Sequence, residues 1–102
     1  MSNANTVNIL TVPRNNLETL LARVREMNKA ITVIKGFKGG KILVRDGVNN
    51  TDTVRVIIAI EWESKEAFHA AKDEFKGWMG EKSELESQGV TMDGGMYLGE
   101  SF

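Results

Sequence analysis

"VRVIIAIEWESKEAFHAA", residues 54–71, decides how this chain folds. Val54, Val56, Ile58, Ile60 and Trp62 fall on one side of an alternating run, with Arg55, Ile57, Ala59 and Glu61 on the other, which is the period of a β-strand. The period changes after Trp62. Ser64 is a helix N-cap residue type, Glu66 favours a first helical turn, and Phe68, Ala71, Phe75, Trp78 and Met79 then recur at helical spacing. A strand therefore runs straight into a helix, with its largest side chain at its last position. Trp62 reads either as core filler or as the wall of a pocket where the sheet meets the helix.

Working outward, "DGVNNTD" (residues 46–52) is rich in turn formers and reads as a hairpin loop. It joins the Val54–Trp62 strand to a strand over Lys41–Arg45. The three glycines of "KGFKGG" (residues 35–40) read as a break before that strand. Upstream, Leu17, Leu20, Leu21, Val24, Met27 and Ile31 form one apolar stripe, predicting an amphipathic helix from about Asn16 to about Val33. Asn15 with Glu18 is its N-cap signature, and Asn16 is a competing cap. Thr6–Val12 reads as a first strand, with Asn8, Leu10 and Val12 on one face and Val7, Ile9 and Thr11 on the other. Downstream, Gly77 and Gly80 loosen the second helix, Ser83–Gln88 suggests a short helical piece, and residues 89–102 hold a last strand, or two split at Gly94-Gly95. The order is strand, helix, strand, strand, helix, strand. That is the βαββαβ ferredoxin-like pattern of an α+β protein, an antiparallel sheet with both long helices on one face.

Composition sets the outer limits. The chain has 102 residues, 41% hydrophobic and 26% charged, with net charge −1. That fits one globular domain, taken as residues 5–102. Ser2-Asn3-Ala4 is a tripeptide commonly left by cloning, so residues 1–4 are expected to be a disordered N-terminus or cloning remnant. The charge balance gives no electrostatic footprint for nucleic acid or an anionic membrane. With no cysteine, thiolate catalysis and cysteine-ligated metal are excluded. No apolar run reaches the roughly 20 residues of a membrane span and no signal-peptide pattern opens the chain. A cytoplasmic protein is the expectation. Lys35-Gly36-Phe37 imitates the start of an RNA-recognition motif, but Lys38, Gly39 and Gly40 do not continue it. The glycines do not follow a strand and open a helix as a phosphate loop requires. No His or carboxylate cluster stands at metal-ligand spacing, so no metal is expected.

The Val54–Trp62 strand carries more than topology. Ile57 and Ala59 on its second face, and Val7 with Ile9 on the first strand, leave both sides of the sheet partly apolar. Helices can cover only one of them. Each Ile or Val removed from water contributes about 1.5–3 kcal/mol, so a second copy packed sheet against sheet is expected, a homodimer.

"IEWESKEAFHAA" resembles the signature of the antibiotic biosynthesis monooxygenase family, small dimeric α+β barrels of which many carry W-x-S-x-x-A-F at this junction. Trp62, Ser64, Ala67 and Phe68 supply that pattern. Gly36-Phe37 is similar to the family's helix-to-strand turn, with Lys35 where a proline is common. The resemblance implies a cofactor-independent monooxygenase acting on a small aromatic or quinol-like substrate, with no cofactor. It implies a site in which Asn8 and Trp62 serve catalysis, and we expect Phe68, Phe75 and Tyr97 to line the pocket. The heme-degrading branch of the family also matches at Asn8 and Trp62, and a heme-binding relative is the alternative reading. That branch needs a histidine where Lys72 stands. His69, the only histidine, is three residues earlier and about 300° away around the helix. In the polyketide-oxidising branch an asparagine is sought four residues before the tryptophan, where Ile58 stands. A non-catalytic dimer holding a small apolar molecule is the third reading. The residues leave two of these roles open. Asn8 either serves a pocket or hydrogen-bonds a helix end or loop. Tyr97 is either structural or functional.

Overall fold

The computed structural model describes residues 3–45, 52–75, 82–100 and 102; the side chains of residues 3, 74, 75 and 82–84 lie outside the described set. Strand β1 (Asn3–Pro13) leads through a 3-10 turn (Arg14–Asn16) into helix α1 (Leu17–Ile31). Strands β2 (Phe37–Val44) and β3 (Thr53–Trp62) follow, then helices α2 (Lys65–Phe75) and α3 (Lys82–Ser87), and strand β4 (Thr91–Gly99). The four strands form one sheet in the order β2-β3-β1-β4, antiparallel at every pairing. This is the α+β ferredoxin-like fold that the element order predicts.

The face parity read from the sequence holds. Val54, Val56, Ile58, Ile60 and Trp62 are all buried. The register pairs Asn8 with Ile58, Leu10 with Val56 and Val12 with Val54, so the even-numbered residues of β1 and β3 share one face. That face meets the stripe of α1, where Leu20, Leu21, Val24, Met27 and Ile31 are buried, and Ala71 of α2. Both long helices therefore cover the same side. On the other side Val7, Ile9, Ile57 and Ala59 are half-buried, while Leu43 and Tyr97 are exposed.

Three expectations are corrected, and one left open is decided. β1 begins at Asn3, and Ala4 is buried between Trp62 and Leu98 of the flanking strands, so residues 3 and 4 belong to the sheet. β2 begins at Phe37, and Gly39 and Gly40 lie within it. Pairing with Glu61 and Ile60 supplies the ladder that glycine would not favour by itself, with a register shift between Phe37 and Gly39. Of the two readings of the last segment the single strand holds: β4 runs unbroken through Gly94-Gly95, held by Asn8 and Val7 of β1. Neither asparagine caps α1 with its side chain. Asn16 instead donates from Nδ2 to the carbonyl of Gln88 at 3.0 Å, tying the start of α1 to the turn after α3. That turn closes with Val90 N–H on the Leu85 carbonyl and Gly89 N–H on that of Glu86, Gly89 holding φ +77 as the left-handed residue such a helix end needs. Most of the expected hairpin loop (46–51), Gly77, Trp78, Met79 and Gly80 lie outside the described residues.

Candidate functional site

The W-x-S-x-x-A-F stretch resolves into packing roles. Trp62 has 0% exposure and its indole N–H, a donor only, donates to the Thr6 hydroxyl at 3.2 Å. Phe37 meets Trp62 edge to face with centroids 6.2 Å apart, and Phe68 leans on it at 5.7 Å. Ser64 Oγ accepts the Ala67 N–H at 3.0 Å, capping α2. Ala67 must be small because the turn at Gly36 (φ +94) comes down on it. The Glu63 N–H then donates to the Gly36 carbonyl at 2.8 Å, fixing the same turn to the end of β3.

A cavity of about 220 Å³ opens beside this cluster, between the C-terminal end of α1 and strands β2 and β3. Ile31, Phe37, Ile42, Ile58 and Ile60 wall it, and Asn28 and Thr32 stand at its helix side. Asn28 of α1 and Thr32, the helical C-cap of α1, are four apart and so share a face. Gly40 pairs with Ile60 on the helix-covered face and lines the cavity without a side chain to fill it. Lys41 lines it too, but pairs with Ala59, so its side chain leaves from the opposite face of the sheet. A second concavity of about 420 Å³ lies around Gly36, Glu63, Ser64, Glu66, Ala67 and Ala70, with charged residues on its margin.

The residues expected to form a pocket are distributed differently. Trp62 and Phe68 touch one another, and Trp62 does not line the cavity but touches Phe37, which does. Asn8 is half-buried on the helix-covered face, but pairs with Ile58 while Trp62 pairs with Ala4, four residues along β1, about 13 Å at strand rise. Its side chain lies across Gly94, where an added Cβ would overlap Asn8 Oδ1. Tyr97 pairs with Asn5 on the open face, 57% exposed, on the other side of the sheet from Trp62. Phe75 lies outside the described side chains. Asn28, Thr32 and Gly40 were not singled out from the sequence. The available signal was an amide and a hydroxyl four apart at the end of an apolar stripe, opposite a glycine in a strand.

A heme does not fit these residues. His69 and Lys72 are exposed on α2, the His69 ring tilted against Phe68 with centroids 5.5 Å apart, and neither borders the cavity. The cavity is also smaller than the roughly 300–1,000 Å³ usual for a drug-sized ligand. Among the described residues no group of three or more His, Asp or Glu could hold a metal, and no helix is long and apolar enough to cross a membrane.

The fold is that of solved structures named for antibiotic biosynthesis monooxygenases. A variant of SnoaB, a cofactor-independent oxygenase from Streptomyces nogalater, superposes with a TM-score of 0.75 at 16% identity, over 100% of this chain and 97% of that one. A protein provisionally named an antibiotic biosynthesis monooxygenase from Nitrosomonas europaea gives 0.69 at 14% identity, over 94% and 97%. A dimeric ferredoxin-like protein from an uncultured marine organism gives 0.71 at 13%, over 100% and 99%. No family model and no curated protein matches the chain. Identities this low establish a shared fold.

Proposed function

We propose that this protein is a cofactor-independent monooxygenase for a small, electron-rich hydroxyarene, working as a cytoplasmic homodimer. The observation that carries the reading is the apolar cavity beneath α1, in a fold shared along the whole chain with a cofactor-independent oxygenase. The substrate supplies all the electrons. One atom of dioxygen becomes a new carbonyl on the ring, the other leaves as water, and the hydroxyl and ring hydrogens end on that water. The protein's part is to hold the ring dry and oriented and to handle a proton. The walls of Ile31, Ile42, Ile58 and Ile60 give the dry site. Phe37 gives an aromatic edge.

The two residues proposed from the sequence as catalytic have different duties in this reading. Trp62 positions Phe37, since its own N–H is committed to Thr6. Asn8 serves as an amide on the same covered face, held over Gly94. The dimer reading is supported by the half-buried Val7, Ile9, Ile57 and Ala59 on the open face, where a second sheet would remove them from water.

Oxygen uptake with 1-naphthol or a substituted hydroquinone tests the proposal. Protein-dependent uptake above spontaneous autoxidation, with a quinone formed that carries one oxygen atom more than the substrate and no effect of chelator or added flavin, is the expected result. Binding without uptake would make this a non-catalytic carrier of small arenes.

A further inference from the structure

The cavity says more about its ligand than that it is aromatic. We infer that it selects a neutral arene of one substituted ring or two fused rings that carries a hydrogen-bond donor, a hydroxyl or amine, and rejects the carboxylate of the same size. The inference rests on the cavity being the substrate site and adds which chemistry it admits.

Size comes first. A dry cavity of about 150 Å³ lined by aliphatic side chains takes benzene. This one, at about 220 Å³, has room for a second ring or for substituents, but not for a larger polycycle. Gly40 keeps the space open. A Cβ there would stand 3.2 Å from the Ala59 carbonyl oxygen, a backbone atom that would have to give by a few tenths of an ångström, and 3.5 Å from Ile60 Cγ1; no positive φ calls for glycine. A larger residue at 40 would instead occupy the ligand's volume. Glycine inside a strand often marks such a close approach.

Polarity comes second. The Thr32 hydroxyl spends its one hydrogen on the Lys29 carbonyl at 3.1 Å, so it faces a ligand as an acceptor. The Asn28 side chain makes no hydrogen bond to another described residue and can accept or donate. Asn28 stands in the last turn of α1 and Thr32 is its C-cap, where the carbonyl ends of the helix concentrate partial negative charge. The one cation among the cavity's described lining residues, Lys41, is directed away from it. Lys41 projects to the far side of the sheet, and Lys29 is paired with Glu26 at 2.9 Å. A hydroxyl or amine donates into this end; a carboxylate meets acceptors and a negative dipole in an apolar site, without a cation.

Titration of the folded protein at neutral pH with 2-naphthol, naphthalene and 2-naphthoate, followed by amide chemical shifts, tests this. We expect 2-naphthol to bind about tenfold more tightly than naphthalene or 2-naphthoate, the worth of one or two hydrogen bonds. Thr32→Val should lower naphthol affinity about fivefold and leave naphthalene unchanged. Gly40→Val and, as a second filling variant, Ile42→Phe should abolish binding of both while the protein still melts cooperatively. Naphthoate binding as tightly as naphthol, or naphthol binding unaltered by either filling variant, would overturn the inference. The outcomes separate from those of the oxygenase reading. Naphthol that binds in the cavity without oxygen uptake removes the catalysis and keeps the selectivity. Oxygen uptake indifferent to Gly40→Val and Ile42→Phe keeps the catalysis and removes the site.

Discussion

Gly36 and Ala67 meet so closely that a Cβ built on Gly36 would stand 2.7 Å from the Ala67 Cβ. The contact joins the α1–β2 turn to the first turn of α2, and it accounts for both a glycine and an alanine that would otherwise read only as a family pattern. Gly36 also holds φ +94, which a side chain adopts only with strain. Gly36→Ala should therefore cost about 1–3 kcal/mol, measured by urea unfolding. In an Ala67→Gly background the loss should shrink to the backbone strain alone. An equal loss in both backgrounds would mean that the two residues do not compete for space.

Thr6 and Trp62 form the polar contact at the centre of the core. Thr6→Val keeps the volume but leaves the buried indole N–H unpaired, at about 1–3 kcal/mol. Trp62→Phe loses packing as well as the bond. A double-mutant cycle over Thr6→Val and Trp62→Phe should show coupling above about 0.5 kcal/mol. Simple additivity would remove the hydrogen bond as a contributor.

The proposed homodimer makes a prediction about the open sheet face. Ile57→Lys should shift the sedimentation of the protein at micromolar concentration from dimer to monomer while the even-face core stays intact. Sedimentation of the unaltered chain as an 11.3 kDa species would sink the dimer outright.

Asn8 offers a way to separate orientation from binding. It does not border the cavity, so Asn8→Ala should leave naphthol affinity unchanged, and if Asn8 handles oxygen or a proton the variant should slow oxygen uptake. Gly94→Ala should mimic that loss, since the new methyl group would displace the Asn8 side chain. A change in affinity equal to the change in rate would place Asn8 in binding instead.

Heme titration tests the discarded cofactor. His69 lies on the exposed side of α2 against Phe68, so no sharp Soret band that disappears in His69→Ala is expected. Its appearance would restore the heme reading.

The sequence by itself determined which residues face the helices. The alternation over 54–62 and the stripe over 17–31 are periodic, and periodicity follows from backbone geometry alone, so strand, helix and buried face could all be read before any contact was known. It also carried the element order, and with it the sheet topology. The ends of the elements were decided by the tertiary structure. Ala4, Gly39 and Gly40 have little intrinsic preference for a strand, and they lie in one because Trp62, Glu61 and Ile60 are there to pair with. The site was decided in the same way. Asn8 and Trp62 share a face, which parity revealed, but register along the strands sets them about 13 Å apart, and parity has no information about register. The cavity depends on where the last turn of α1 crosses β2 and β3, a matter of helix packing between residues some ten to thirty positions apart in the chain. Asn28, Thr32 and Gly40 therefore acquire a role only when the fold brings them together.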